Sequence, residues 1–267
     1  MTHRPRMFWG LSLAMALSLV VTGMALGQAS APRQGSTPRT RPAAAAASHP
    51  DFSGVWQVLN TAAWDIEAHA ADVGTPPGEG VVVGGEIPYQ PWALEKKKQN
   101  YAKRLTDDTD VKCYMPGVPR ITYMPYPFRI VQTPKYITII HEYIHVVRTV
   151  YMDGSKHPEG IDWWMGDSRG HWEGTTLVVD SIDFNDQTTF DKAGNFHSDA
   201  LHVVERFSLI DKDHLNYDVT IEDPKVFTRP WKMNMPIYRR IEKFVRPLEY
   251  DCYAFEHLFH VPDDAGR

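Results

Sequence analysis

Short runs of alternating apolar and polar residues fill the chain from Arg120 onward. They are rich in β-branched and aromatic side chains, and turn residues such as Thr133-Pro134-Lys135 separate them. This pattern predicts strands with one buried face. The predicted strands cover residues 128–133, 136–152, 176–184, 201–210, 215–221 and 240–245.

One amphipathic helix is predicted before the strands, because Pro91 suits a first helical turn and residues 95–104 are good helix formers. The run at residues 136–152 is longer than a typical strand. It predicts either a hairpin that reverses near Tyr143 to His145 or a single strongly bent strand. Six or more antiparallel strands with one short N-terminal helix predict an all-β fold, an antiparallel β-barrel.

The N-terminal part of the chain shows no such alternation. Residues 1–27 combine two arginines, an uncharged apolar run from Met7 to Leu26 and a small-x-small ending, which is typical of a signal peptide. An uncleaved membrane anchor is the alternative, because the run approaches the roughly 20 residues that span a bilayer. Residues 28–50, rich in Ala, Pro and Ser, predict a disordered linker, and residues 51–262 a single β-barrel domain. We therefore expect a periplasmic or secreted protein.

Composition and charge narrow the range of partners. The 267 residues include 33 acidic and 28 basic side chains, mixed along the chain, with a formal net charge of −5. No basic face is available for a phosphate backbone, so we expect no nucleic-acid partner. We also expect no membrane contact after signal cleavage, and the oligomeric state stays unknown. The two cysteines, Cys113 and Cys252, are expected to form a disulfide outside the cytoplasm, with two buried free thiols as the alternative.

Two resemblances bear on the fold. The segment from His49 to Trp56 reads His-Pro-Asp-Phe-Ser-Gly-Val-Trp and resembles the opening strand of lipocalins and other calycins, whose Gly-x-Trp closes the barrel bottom. A longer motif begins with Asp-Gly-x-x-His-Pro at residues 153–158. It continues with Trp-x-Gly-x-Ser-x-Gly-x-Trp-Glu-Gly-x-Thr-Leu-Val-Val-Asp at residues 164–180 and ends with Glu-Arg-Phe at residues 205–207.

With this motif, the chain from about residue 50 to 250 resembles a large family of exported bacterial proteins without an assigned function. The two resemblances imply a periplasmic, calycin-like or lipocalin-like β-barrel, and they imply no reaction. Thr175 departs from the family, in which an acidic residue stands at this position. A carboxylate role at that turn is therefore in doubt here.

The sharpest short motif is His141-Glu142-Tyr143-Ile144-His145, which matches the H-E-x-x-H of zinc proteases. That chemistry needs a helix, which places both histidines on one face beside the glutamate. The flanking residues are typical of a strand instead, so the zinc-protease hypothesis is disfavoured. A metal site that also includes His157 and His197 remains open, although the spacing matches no known ligand set. We expect no metal and no other cofactor.

The same segment contains an acid and a guanidinium. If it continues as one strand, Glu142 and Arg148 share a mostly apolar face and point into the barrel, where each needs a partner. One interpretation is a buried structural ion pair, or a reversal that resets the alternation. The other is a site in which Arg148 holds an anionic or carbonyl oxygen of a ligand and Glu142 acts as a catalytic group.

A second group of candidates lies around a predicted turn. Asp153 and His157 could form a carboxylate-oriented general base, although Asp153-Gly154 is also typical of a plain turn. Ser168 in Gly-x-Ser-x-Gly matches the nucleophile elbow of serine hydrolases, but that elbow needs a helix after the strand. The remaining candidates are His197 as a catalytic residue and Arg206, Trp164 and Asp180 as ligand-binding residues.

The titratable residues within the predicted strands favour a metal-independent enzyme that uses a histidine and a carboxylate. A lyase, an isomerase or a hydrolase acting on a hydrophobic or aromatic small molecule would fit. The alternative is a non-catalytic, lipocalin-like carrier of such a ligand, which needs a mostly apolar barrel interior. A structural or envelope-interaction protein with a solidly packed barrel is the third class.

Overall fold

Nine strands close into a barrel in the computed structural model, which describes residues 49–253. The predicted signal peptide, nearly all of the predicted linker and residues 254–262 lie outside this range. No helix within it has the length and hydropathy of a membrane span. In chain order the strands are β1 Gly54–Gln57, β2 Phe128–Gln132, β3 Tyr136–His141, β4 Val147–Tyr151, β5 Asp167–Glu173, β6 Thr176–Ile182, β7 His202–Asp211, β8 His214–Glu222 and β9 Trp231–Arg239.

Strands that are neighbours in the chain are neighbours in the barrel, and β9 pairs with β1 to close it. An odd number of strands cannot alternate in direction around a closed ring, so one pair must be parallel. That pair is β4 and β5, in which Val150 lies opposite Ser168. Residues 152–166 therefore cross from one end of the barrel to the other, and we call them the crossover. The predicted all-β barrel is confirmed, with antiparallel pairing everywhere except at β4 and β5.

The long apolar run at residues 136–152 forms the β3–β4 hairpin. Ile144 and His145 hold positive φ angles of 41° and 57° at its turn. The predicted reversal is therefore confirmed, and the single bent strand is wrong. Because the reversal resets the alternation, Arg148 points into the barrel whereas Glu142 stays in the turn.

The structure adds β5 and β9 to the strands that the pattern predicts. In β9, buried Trp231, Met233 and Met235 alternate with exposed residues, but Met, Asn and Pro are not typical of strands. The predicted strand at residues 240–245 is wrong, since this segment is irregular. Both edges of β9 are already paired, so the closed barrel offers no edge to a further strand.

Three helices lie between β1 and β2 in the described part of the chain: α1 Pro91–Ala102, α2 Arg104–Asp107 and α3 Arg120–Tyr123. The expected helix is α1, and α2 and α3 are single turns beyond the prediction. All four residues of α3 are buried, and the Thr122 hydroxyl lies 3.5 Å from the inward-facing Tyr217 hydroxyl of β8. Helix α3 therefore reaches into the barrel and fills part of its interior.

Trp56 of β1 is fully buried near the end of the barrel where β9 finishes. Its ring N–H donates to the Phe52 carbonyl oxygen at 2.8 Å, and the Arg239 guanidinium of β9 stacks over the ring at 4.0 Å. A Cβ on Gly54 would lie 2.4 Å from Arg239 Nη1, and the φ of Gly54 is +142°. A side chain at position 54 would therefore displace the arginine from the tryptophan.

Residues 240–253 follow β9 outside the strands, and we call them the C-terminal strap. The Leu248 N–H donates to Glu142 Oε2 at 2.8 Å, which ties the strap to the β3–β4 hairpin. Near its end, Cys252 is disulfide-bonded to Cys113. The predicted disulfide is confirmed, and the alternative of two free thiols is wrong.

Candidate functional site

Arg148 lies inside the barrel, where every nitrogen of its guanidinium donates a hydrogen bond. It forms an ion pair with Glu205, with Nη1 donating to Oε1 at 3.0 Å. Nε donates to Ser168 Oγ and Nη2 to Ser181 Oγ, each at 3.0 Å. The Tyr217 hydroxyl donates to Glu205 Oε1 at 2.7 Å. These five buried side chains form the interior network, and a structural ion pair accounts for Arg148 without a ligand.

Electrostatics keep Arg148 charged and Tyr217 protonated. Burial alone would lower the pKa of Arg148, but the charge and the hydrogen bonds of Glu205 raise it above its ordinary value. Burial, and then the Glu205 charge, raise the pKa of Tyr217 as well. The tyrosine therefore keeps the proton that it donates to Glu205.

The Gly-x-Ser-x-Gly segment serves packing rather than nucleophilic chemistry. Ser168 is buried in the interior network, and its strand β5 leads into β6 rather than into a helix. A Cβ on Gly166 would lie 2.6 Å from the Phe184 ring, and one on Gly170 would lie 2.5 Å from Met152 Sδ. Both glycines are therefore explained by close contacts, and the elbow geometry is absent.

The two histidines of the H-E-x-x-H motif lie in different surroundings. His141 is buried at the end of β3, and its Nε2 has no hydrogen-bond partner within residues 49–253, whereas His145 is exposed in the turn. Burial, and then the Arg148 charge, lower the pKa of His141 to about 3. Glu142 anchors the C-terminal strap instead of facing Arg148. In the described part of the chain, no group of three or more His, Cys, Asp or Glu is arranged to hold a metal ion.

His157 and Asp180 come together on the outer wall of the barrel. His157 Nδ1 lies 2.7 Å from Asp167 Oδ1, and Nε2 lies 3.0 Å from Asp180 Oδ1. Asp180 Oδ2 lies 2.8 Å from His202 Nε2, and His202 Nδ1 lies 3.3 Å from Glu222 Oε2. These five side chains form the outer-wall cluster, which fastens the crossover to β5 and β6.

The charges of the outer-wall cluster stabilise one another. The hydrogen bond with Asp180, and then the carboxylate charge, raise the pKa of His202 despite partial burial. The hydrogen bond from His202 is the largest effect that lowers the pKa of Asp180. The hydrogen bonds of His157 and Asp180 all go to other members of the cluster. The two residues are therefore explained by a structural role, which is to hold the crossover in place.

Three more predicted residues lie apart from one another. Asp153 closes an exposed turn by accepting the backbone N–H of Ser155 at 3.0 Å, which matches the plain-turn interpretation. Arg206 points outward from β7 and pairs with Glu173. Trp164 of the crossover packs edge-to-face against Tyr114, which lies between α2 and α3. The eight predicted site residues therefore do not converge on one site.

His197, the eighth of them, lies beside a cleft of about 250 Å³. The cleft lies between the helices α1 and α2 on one side and the β6–β7 loop on the other, and we call it the helix cleft. The helical side contributes Lys96, Lys103, Arg104, Asp107 and Asp108 to its walls, and the loop contributes Asp186, Thr188, Thr189 and Lys192.

A small hairpin in the β6–β7 loop forms one wall of the helix cleft. Thr189 pairs with Phe196 in an antiparallel bridge, so residues 188 and 197 come to lie opposite each other. Gly194 in its turn has a φ of +86°, and a Cβ there would lie 2.7 Å from Tyr101 N of α1. A glycine at this position therefore lets the hairpin and α1 approach closely enough to form the cleft.

A buried carboxylate fixes the base of this hairpin. Asp191 accepts hydrogen bonds from the Ile66 N–H at 2.9 Å and from the Asn195 side chain at 2.6 Å. Burial, and then the nearby Asp65 charge, raise the pKa of Asp191 to about 7. The hairpin is thus tied to the segment that follows β1.

His197 and Thr188 form a hydrogen-bonded pair at the cleft. His197 Nδ1 lies 2.9 Å from the Ser198 carbonyl oxygen, which can only accept, so Nδ1 carries a proton. Burial lowers the pKa of His197 below its usual range, so the ring is neutral near pH 7 and Nε2 has a free lone pair. The Thr188 hydroxyl, 2.6 Å away, therefore donates to Nε2. An oriented imidazole that accepts a hydroxyl proton is the arrangement of an activated nucleophile.

The floor of the helix cleft is a second buried ion pair. Arg120 Nη1 and Nη2 donate to the two carboxylate oxygens of Asp108 at 2.8 and 2.9 Å, and Nη1 also donates to the Thr189 hydroxyl at 2.6 Å. The charge and hydrogen bonds of Asp108 outweigh the effect of burial and raise the pKa of Arg120. This pair holds α3 against the cleft wall.

The cations on the helix side of the cleft are available to a ligand. Lys96 and Lys103 have no ion-pair partner within residues 49–253. Arg104 pairs with Asp72 at 3.0 Å, yet its buried Nε has no hydrogen-bond partner among the described residues. Of the carboxylates that line the cleft, Asp108 is paired with Arg120 and Asp107 lies 3.9 Å from Lys112, which leaves Asp186 without an ion pair among the described residues. Two unpaired lysines against this one carboxylate favour a small anionic molecule over the hydrophobic or aromatic ligand expected from the sequence.

Sequence reasoning found His197 but missed Thr188, Arg120 and the two lysines Lys96 and Lys103. A signal for Thr188 exists only in retrospect: the turn at residues 191–194 lies midway between positions 188 and 197, as a hairpin requires. The cleft forms only because the β6–β7 hairpin contacts α1, and these two segments lie about 90 residues apart in the chain. No local sequence pattern contains such a contact.

Comparison with known proteins identifies no relative of this chain. No protein-family model matches the chain, and no curated protein or solved structure matches it significantly. The resemblance to the exported bacterial family therefore stays a prediction, and the function must be argued from the site alone.

Proposed function

We propose that this protein is a metal-independent hydrolase that acts on a small anionic ester in the helix cleft. Thr188 is the proposed nucleophile, and His197 is the base that accepts its proton. The observation that carries the proposal is the 2.6 Å hydrogen bond from the Thr188 hydroxyl to the neutral Nε2 of His197, at the edge of a cleft with unpaired cations.

The reaction follows from this geometry. The Thr188 oxygen attacks the ester carbonyl carbon while its proton passes to His197 Nε2. The imidazolium then returns that proton to the leaving alkoxide as the ester C–O bond breaks. Water attacks the resulting acyl-threonine in the second step, and its proton passes through Nε2 to the threonine oxygen. Lys96, Lys103 and Arg104 supply the positive charge that positions the anionic part of the substrate.

One observation favours a second candidate function. Thr188 is only 2% exposed, which restricts the approach of a reacting carbon. A binding protein that holds the same anion in the helix cleft without reaction would not need an accessible hydroxyl. A carrier with its ligand inside the barrel is less favoured, because the interior network and α3 occupy that space.

Hydrolysis of p-nitrophenyl esters that carry a carboxylate tests the proposal. Thr188→Val removes the hydroxyl at nearly constant volume and should lower kcat/KM by roughly 10²-fold or more, whereas Thr188→Ser should restore activity. His197→Gln should act like Thr188→Val. The acid limb of the wild-type pH profile should lie below pH 6.5, because burial lowers the pKa of His197.

Thr189→Val is the matched control, since it removes a neighbouring hydroxyl that faces Arg120 rather than His197. It should keep most of the activity once its stability has been checked. Saturable binding of the esters in calorimetry with no turnover by any form would support the binding protein and contradict the hydrolase. Equal turnover by the wild type and Thr188→Val would also contradict it.

A further inference from the structure

The most exposed apolar side chains of the described residues concentrate on the C-terminal strap. Phe244 is 86% exposed, Ile241 75% and Leu248 64%. Within residues 49–253, only Val73 at 68% falls in the same range. Three of the four most exposed large apolar side chains thus lie within eight consecutive residues. Clusters of this kind mark interaction surfaces.

The strap presents these side chains in a fixed conformation. At its start the Arg240 N–H donates to the Val55 carbonyl oxygen at 2.8 Å, and further along the Leu248 N–H is held by Glu142. A turn between these points is closed by Val245 N–H donating to the Glu242 carbonyl oxygen at 3.2 Å. Because both ends of the loop are tied down, little conformational entropy remains to be lost on docking.

Cations alternate with the apolar residues of the strap. Lys243 Nζ lies 5.0 Å from the centroid of the Phe244 ring. Lys243 and Arg246 have no carboxylate partner in the described part of the chain, whereas Arg240 is neutralised by Glu242 at 2.8 Å. Residues 240–249 hold three cations against two carboxylates, Glu242 and the exposed Glu249, so this part of the strap keeps a net positive charge in a protein whose net charge is −5.

We propose that the C-terminal strap docks onto an anionic lipid surface. Ile241, Phe244 and Leu248 enter the interface between headgroups and acyl chains, and Lys243 and Arg246 meet the lipid phosphates. Apolar residues flanked by cations match the two layers of such a surface, whereas a purely apolar partner would leave both cations without a counter-charge. The proposal is independent of the hydrolase, and it departs from the expectation of no membrane contact.

Sedimentation with lipid vesicles tests the proposal on the full chain. The protein should bind vesicles of equal parts phosphatidylglycerol and phosphatidylcholine more tightly than vesicles of phosphatidylcholine alone. Ile241→Ser combined with Phe244→Ser should weaken binding about tenfold or more. Val73→Ser combined with Leu59→Ser is the matched control, because it removes the two most exposed large apolar side chains of residues 49–239, and it should bind like the wild type.

A second double variant tests the role of charge. Lys243→Gln with Arg246→Gln should abolish the preference for phosphatidylglycerol, and added salt should weaken only wild-type binding. The proposal is overturned if the strap variants bind like the wild type, since another segment then meets the lipid. It is also overturned if the wild type does not bind vesicles. That result includes the case in which Phe244 instead mediates a concentration-dependent dimer or contacts residues 254–267.

Discussion

Replacing Arg148 by methionine isolates the cost of a single unpaired charge inside the barrel. The substitution keeps most of the side-chain length but removes the partner of Glu205 and the donors to Ser168 and Ser181. Glu205 is fully buried, so its carboxylate would be left without a counter-charge. Breaking a buried ion pair in this manner costs about 3–5 kcal/mol of unfolding free energy.

For a domain of this size each kcal/mol shifts the melting temperature by about 2–4 °C, so Arg148→Met should melt roughly 6–20 °C below the wild type. Urea unfolding followed by tryptophan fluorescence measures the free energy directly. The double variant Arg148→Met with Glu205→Leu removes both charges and should recover most of the loss.

Arg206→Met is the matched control for this experiment. It removes a guanidinium from the outer face of β7, where the pair with Glu173 is exposed to solvent, and it should leave the urea midpoint nearly unchanged. If Arg148→Met lost less than about 1 kcal/mol, or if the double variant were less stable than the single one, the interior network would not stabilise the barrel as argued.

Three further variants test other parts of the fold. The pKa of His202 is raised in the folded protein, so its contribution to stability is present below about pH 6.5 and is lost as the pH rises through the folded-state pKa. His202→Gln should therefore lower the urea midpoint more at pH 5 than at pH 9. Gly54→Ala should cost about 1–3 kcal/mol in urea unfolding, because Arg239 occupies the place of the added Cβ. Replacing Cys113 and Cys252 together by serine opens a link across 139 residues and should cost about 2–5 kcal/mol in the same assay. An unchanged urea midpoint for Gly54→Ala or for the cysteine variant would show that the contact does not stabilise the fold. An equal loss at pH 5 and pH 9 would show the same for the His202 ion pairs.

Local alternation was sufficient to predict most of the barrel, because each strand buries one face and the turns between strands carry their own residue types. It failed at β5, whose Gly-x-Ser-x-Gly sequence is typical of a turn, and at β9, whose Met and Pro residues are not typical of a strand. It also could not show that nine strands close the ring, which makes the β4–β5 pair parallel.

The candidate site was less predictable than the fold. The strand pattern predicted that Arg148 points into the barrel. Its partner Glu205 lies 57 residues away in the chain, and alternation indicates which face a side chain takes but not which residue it contacts. Asp153 and His157 suggested a general base, whereas His157 fastens the crossover that an odd number of strands requires. His197 was a candidate because it lies just before the predicted strand at residues 201–210, but its hydroxyl partner depends on the fold of the β6–β7 hairpin.

The proposed chemistry can be tested directly by trapping the covalent intermediate. Wild-type protein is mixed with a carboxylate-bearing p-nitrophenyl ester, quenched in acid within the first turnover, digested and analysed by mass spectrometry. The peptide containing Thr188 should gain the mass of the acyl group, whereas the same peptide from the Thr188→Val and His197→Gln proteins should not. Turnover without an adduct on Thr188, or an adduct on another residue, would contradict the assignment of the helix cleft as an active site.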